Sequence, residues 1–117
     1  MKTIIAGSRT ITDAAEVEKA ITASGFTITE VISGGARGVD SLGEDYARAN
    51  NLPLQIFLAD WQQHEKAAGP IRNTEMAANA DALILVWDGV SRGSADMLKK
   101  ATTQGLKIYT HLVKVAE

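Results

Sequence analysis

The chain predicts an α/β fold, a doubly wound and mostly parallel sheet of five strands in the order 3-2-1-4-5. Three observations point there. Short apolar runs alternate along the sequence with amphipathic stretches of helical period. The run from Ala82 to Trp87 is the most apolar, as expected of a central strand covered on both faces. Glycine-bearing turns, Gly7-Ser8-Arg9, Ser33 to Asp40 and Asp88 to Ser94, directly follow the first, second and fourth apolar runs. Right-handed crossovers with the first strand near the middle give the order above and bring those turns together at the carboxyl ends of the strands, where ligands of such sheets bind.

Each element has its own signal. Thr3 to Ala6 forms the first strand and stops at Gly7-Ser8-Arg9. Asp13 caps a helix over Ala14 to Ser24 that turns Val17, Ala20 and Ile21 inward and ends at Gly25. Phe26 to Ile32 supplies the second strand, strongest over Glu30 to Ile32. A second helix starts at Asp40, carries Leu42, Tyr46 and Ala49 as a buried stripe, and stops near Asn50-Asn51. Leu54 to Leu58 is the third strand, and the polar stretch Asp60 to Lys66 is the longest irregular segment, a lid or binding loop. Pro70 suits a first helical turn, where its missing N–H costs nothing, so a helix runs from Ile71 to Asn79. After the fourth strand a last helix spans Ala95 to Gln104 with Leu98 and Ala101 inward, and Gly105 leads into a strand from Lys107 to His111.

The 117 residues suit one domain over 1–117. With 12 basic and 14 acidic side chains the net charge is -2, so a polybasic surface for polynucleotides is not expected. The absence of cysteine excludes disulfides, thiolate chemistry and cysteine-held metals. No apolar run reaches the length of a membrane span and the N-terminal one is too short for a signal peptide, which makes a cytoplasmic location without membrane partners the expectation.

The turn after the second strand carries most of the chemistry. Gly34, Gly35 and Gly38 remove the side chains that would hold a bound group away from the backbone, and Arg37 adds positive charge, the makings of an anion cradle. A tight turn alone explains one or two of these glycines. Arg37 and Arg9 offer forks to phosphate or carboxylate, against the plainer role of solvated loop arginines; Arg92 points into the site or across a subunit boundary. Ser33, Ser91 and Ser94 are donors to phosphate or ribose, or else caps of turns and helices. Asp40 suits a helix cap or an orienter of an arginine better than a phosphate ligand. Arg72 and Asn73, in the first turn after Gly69-Pro70, sit where free amides favour an anion. Trp61, in a polar stretch, is placed to stack on a base, whereas Trp87 reads as core.

Other chemistries find less support. Glu44 and Glu75 read as solvated helix face, His64 is a lone loop histidine, and with His111 far away no metal cluster or serine-histidine-acid set assembles. The glycine turn lacks the Gly-Lys-Ser/Thr ending of a nucleoside-triphosphatase loop and follows the second strand, not the first, which argues against standard ATP or NAD sites. No cofactor is implied.

Four segments together carry a resemblance: Ile4 to Arg9, Ser33 to Asp40, Ala68 to Met76, and Ala80 through Trp87 to Ser94. They resemble the small SLOG-superfamily proteins of the YspA and YpsA-related (DUF2493-type) group, common in bacteria and phages. The resemblance implies a Rossmann-like fold and a nucleotide or nucleotide-derived ligand. Relatives are found among DNA-processing proteins, cytokinin-activating phosphoribohydrolases and defence-linked sensors, and they often assemble, so a homo-oligomer is in view. The family's ligand loops carry over onto Gly7, Ser8 and Arg9, onto Ser33 to Asp40, onto Arg72 and Asn73, and onto Asp88, Gly89, Ser91, Gly93 and Ser94. Two departures stand out. The phosphoribohydrolases have a proline-led double-glycine turn with a downstream catalytic glutamate where this chain reads Asp88-Gly89-Val90-Ser91-Arg92-Gly93-Ser94-Ala95-Asp96, and His64-Glu65 replaces an aromatic-glycine pair. The leading expectation is binding or sensing of a nucleotide-derived phosphate ligand. The alternatives are a hydrolase of its N-glycosidic or phosphate bond, with only His64, Asp88 and Glu75 to draw on, and a DNA-handling or protein-interaction module.

Overall fold

A computed structural model describes residues 1–114. Five strands, β1 (Lys2–Gly7), β2 (Glu30–Ser33), β3 (Leu54–Ile56), β4 (Ala82–Trp87) and β5 (Lys107–Leu112), form one sheet in the order β3-β2-β1-β4-β5. All neighbours are parallel, with Ile4 opposite Ile32 on one side and Leu83 on the other. Alternation along the strands divides the core. Ile4, Ile32, Leu83 and Leu85 face Met76 of α4 (Ala68–Asn79) and Met97 of α5 (Arg92–Thr103). Ile5, Val31, Ile84 and Val86 face Val17 and Ala20 of α1 (Ala14–Ser24) and Val39 and Ala47 of α2 (Val39–Ala49). The expected α/β, doubly wound, Rossmann-like architecture and its strand order are thus present, and the sheet is wholly parallel. Among the described residues no helix is long and apolar enough to cross a membrane.

Several boundaries differ from the sequence expectation for local reasons. β2 begins only at Glu30, and β3 at the sheet edge keeps three residues, so Leu58 lies outside it. The stretch expected to be irregular is helical: Asp60 accepts a hydrogen bond from the Gln63 N–H at 3.1 Å and caps α3 (Trp61–His64), and a 3-10 turn over Glu65–Ala67 joins it to α4. α4 therefore starts before Ile71, with Pro70 in its first turn as expected. α5 starts at Arg92 because Ser91 caps it, which puts Gly93 and Ser94 into a helical first turn.

The buried face of α2 is Val39, Asp40, Gly43 and Ala47, not the larger stripe; Leu42 and Tyr46 are half-buried and Ala49 is exposed. The cause is close packing, since a Cβ on Gly43 would come within 2.8 Å of the Ile5 side chain. Small residues let the helix lie directly on β1, and this carries Asp40 inward.

Candidate functional site

The turns after β1, β2 and β4 meet through Ser8. Its N–H donates to the Val86 carbonyl at 3.1 Å, its carbonyl accepts from the Val39 N–H at 3.3 Å, and its Oγ accepts from the Asp88 N–H at 3.1 Å. Ser8 is almost fully buried, so its hydroxyl is a strut between loops at the floor of the crevice.

The glycine turn has partners of its own. The Ala36 N–H donates to Asp40 Oδ2 at 3.2 Å and the Gly35 N–H to Ser33 Oγ at 3.2 Å, while Ser33 Oγ donates to Glu44 Oε2 at 2.7 Å. A carboxylate of the same chain therefore already occupies part of this anion cradle. Asp40 is 6% exposed, and among the described residues its Oδ1 has no hydrogen-bond partner. No side-chain polar atom among them is both sealed from solvent and unpaired, so Oδ1 opens to the cavity that Asp40 lines. Burial pushes the Asp40 carboxyl up to about 6; the Ala36 N–H and the charges of Arg72 and Arg9 pull it down, and Glu44 adds to the rise.

Arg72 reaches across from α4. Its Nη1 donates to the Gly34 carbonyl at 2.6 Å and its Nε to Asn73 Oδ1 at 3.0 Å, while Asn73 Nδ2 donates to Asp96 Oδ2 on α5 at 2.9 Å. Burial lowers the Arg72 pKa from its high ordinary value, opposed by Asp40. A Cβ on Gly34 would lie 2.7 Å from Arg72 Nη1 and 2.9 Å from Asp40 Oδ2, so that glycine makes room for an arginine and a carboxyl of the protein itself.

The start of α5 supplies the opposite wall. Asp88 Oδ1 accepts from the Val90 and Ser91 N–H groups at 2.9 Å each, which holds its carboxylate below the usual range. Ser91 Oγ donates to Ser94 Oγ at 3.1 Å and accepts from the Ser94 N–H at 3.4 Å. The Arg92 and Gly93 N–H groups have no partner among the described residues, and they lie at the positive end of a twelve-residue helix.

These parts enclose a crevice with two compartments. The inner one, about 280 Å³, collects Gly7, Ser8, Arg9, Asp40, Arg72, Asn73, Asp88, Ser91, Gly93 and Ser94. The outer one, about 430 Å³, collects Gly34, Gly35, Arg37 and Trp61 together with Leu58. Arg9, Ala36 and Arg72 line both and join them. Trp61 and Leu58 are 52% and 75% exposed, an apolar shelf without cover among the described residues. Neither Arg9 nor Arg37 has an ion pair or side-chain hydrogen bond among those residues.

Of the expected site residues, Ser33, Gly38 and Gly89 lie outside both compartments, as do Arg92, Glu44, His64 and Glu75. Trp87 is half-buried against the core, as its strand position predicts. Thr10, Met76, Met97 and Leu58 line the crevice without having been singled out, the methionines because helix period marks them simply as core. Among the described residues no group of three or more histidine or acidic side chains is placed to hold a metal.

Known proteins are similar to this chain in sequence or in fold. The profile of the YspA, cpYpsA-related SLOG family (YAcAr) matches residues 1–64, which contain β1, the glycine turn and α2. The Gene 61 protein of Mycobacterium phage D29 is 33% identical over 84 residues, covering 67% of each chain. Among solved structures, DNA processing protein A (DprA) from Streptococcus pneumoniae aligns with a TM-score of 0.78 at 18% identity. That alignment covers 99% of this chain and 52% of the other, so the chain spans about half the length of that protein and the likeness speaks for the fold. With more than half of its length matched, including the turn that forms one wall of the crevice, the chain belongs to the YspA, cpYpsA-related SLOG family.

Proposed function

We propose that this chain binds or senses a nucleotide or nucleotide-derived phosphate ligand in the two-compartment crevice. One observation carries the reading: the Arg92 and Gly93 amides at the positive end of α5, without a partner among the described residues, lie beside a compartment lined by Gly93, Arg9 and Arg72, which continues onto the Trp61 and Leu58 shelf. The phosphate belongs at the start of α5 rather than on Gly34 and Gly35, because the Gly35 and Ala36 amides already have partners. Arg9 meets it as an unpaired fork, and Arg72 turns to it from the Gly34 carbonyl. The base lies on Trp61, with Arg37 at the rim.

The hydrolase reading draws less support. His64 and Glu75 stand outside both compartments, and the Asp88 carboxylate is held by two backbone amides. Polynucleotide handling is the second reading, favoured by the structural likeness to a DNA processing protein and opposed by the net charge of -2.

Mass spectrometry of small molecules released from the purified protein identifies the ligand, and titration calorimetry on variants tests the site. Arg9→Ala and Arg72→Ala are each expected to weaken binding of the released nucleoside phosphate about tenfold or more. Gly93→Val puts a branched side chain at the start of α5 beside the inner compartment and is expected to weaken binding similarly, and circular dichroism checks that the variant folds, which the open space around a Cβ there favours, with nothing within 4 Å. Unchanged affinity in Arg9→Ala and Gly93→Val sinks the proposed site. A steep fall in oligonucleotide affinity with salt, without mononucleotide binding, favours the second reading. Sustained consumption of the ligand overturns a purely sensing role.

A further inference from the structure

Among the groups lining the inner compartment, Asp40 is a mostly buried carboxyl with one oxygen that has no partner among the described residues. Asp40 is 94% shielded, one carboxylate oxygen is fixed by the Ala36 N–H at 3.2 Å, and the other opens into the cavity without a partner among the described residues. That oxygen is open to the cavity, and a ligand that fills the cavity must supply a hydrogen-bond donor there or leave a carboxylate oxygen unsatisfied. A phosphate oxygen is the wrong partner, since it brings negative charge and no donor when ionised. Position narrows the choice further. Asp40 holds Ala36, a residue that lines both compartments, and so stands at the junction between the α5 start and the Trp61 shelf. In a nucleotide laid phosphate-first along that path, the group at the junction is the sugar.

We infer that Asp40 accepts a hydrogen bond from a ribose hydroxyl of the ligand, so that the site selects ribonucleotides over deoxyribonucleotides. The inference rests on the nucleotide reading above and adds to it a choice of sugar. The charged groups facing Asp40 fit this role: Arg9 from the turn after β1 and Arg72 from α4 favour its ionised form, while Glu44, further along α2, opposes it. A ligand filling the cavity displaces the water that otherwise reaches this acceptor, so an analogue lacking the hydroxyl leaves a carboxylate oxygen without a donor, the condition under which a site rejects such an analogue. A single-stranded DNA ligand is disfavoured by the same contact.

Titration calorimetry at pH 7.5 with adenosine, guanosine, cytidine and uridine 5′-diphosphates and their 2′-deoxy and 3′-deoxy counterparts tests this. The expected result is that whichever ribonucleotide binds does so about tenfold or more tighter than one of its deoxy forms, as a charge-assisted hydrogen bond predicts. Asp40→Asn is expected to reduce that ratio several-fold, because the amide oxygen stays with Ala36 and a neutral NH2 faces the sugar. The wild-type ratio is also expected to fall from pH 7.5 to pH 5, since protonation of Asp40 removes the charged acceptor, and this measurement needs no variant. Equal affinity for ribo and deoxy forms, or a ratio untouched by Asp40→Asn, overturns the sugar contact and leaves the nucleotide reading standing. Failure of every nucleotide to bind overturns that reading and the contact with it.

Discussion

Replacing Gly38 by alanine is expected to destabilise the protein by about 2–5 kcal/mol, combining a strained backbone conformation with an overpacked contact. Gly38 has φ 75 and ψ -130, a region that side-chain-bearing residues avoid, and it precedes α2 directly. A Cβ there would lie 2.5 Å from the carbonyl oxygens of both Ser8 and Arg9. These are backbone atoms that cannot swing aside, so relief requires the turn after β2 to part from the turn after β1. Parting them breaks the Val39 N–H bond to Ser8 and opens the floor of the crevice. Against a total stability of about 5–15 kcal/mol the loss is severe, and a fall in Tm on the order of 10 °C or more should accompany it. Gly25→Ala is the control. Gly25 has φ 67 but a Cβ there meets nothing within 4 Å, so only the conformational cost of about 1 kcal/mol remains. Urea unfolding of the two variants gives the comparison, and equal losses would show that the contact with Ser8 and Arg9 contributes nothing.

That pair of glycines illustrates what the sequence could and could not convey. The strand order was legible because it follows from general rules: alternating periods, right-handed crossovers and a most-apolar strand at the centre. The place of the crevice was legible for the same reason, since turns after β1, β2 and β4 must converge in that order. The guest of the glycine turn was not. Three glycines near an arginine look alike whether they admit a phosphate or an aspartate four residues on, and only the path of the turn brings Asp40 Oδ2 to the Ala36 N–H. Gly34 answers to Arg72 and Asp40, Gly38 to Ser8 and Arg9, and both demands come from residues distant in sequence or geometry that no local pattern encodes. A weaker signal was present in α2: Asp40, Gly43 and Ala47 recur at helical spacing and mark a small-residue face that lies against the sheet. Larger Leu42 and Tyr46 competed with that face and drew attention to the wrong side of the helix. The helical turn at Trp61 was likewise announced by Asp60 in the cap position, with too few residues after it for a period to be seen.

Asp40→Asn is expected to stabilise the protein at neutral pH. Burial raises the Asp40 carboxyl from 3.8 in the unfolded chain to about 6 in the fold, so ionising it opposes folding. The sign follows directly: the neutral acid contributes its full stability below about pH 4, and that contribution is lost as pH rises through about 6. At pH 7.5 the wild type therefore carries an ionised group that is mostly buried, and an isosteric amide relieves it by about 1–3 kcal/mol, the lower figure allowing for a weaker bond to Ala36. At pH 4.5 most of the advantage should vanish. Denaturant unfolding of both proteins at the two pH values isolates the effect, because contacts other than charge cancel between them. A variant that is less stable by the same amount at both would mean that Asp40 is no more than a hydrogen-bonding strut. A fold that holds a destabilising carboxylate with one free oxygen inside its crevice has given up stability at the point where a ligand would restore it. The gain in stability from Asp40→Asn should therefore appear in the same protein as the loss of its preference among sugars, and a nucleotide bound by the wild type should recover much of the stability that the variant gains without it.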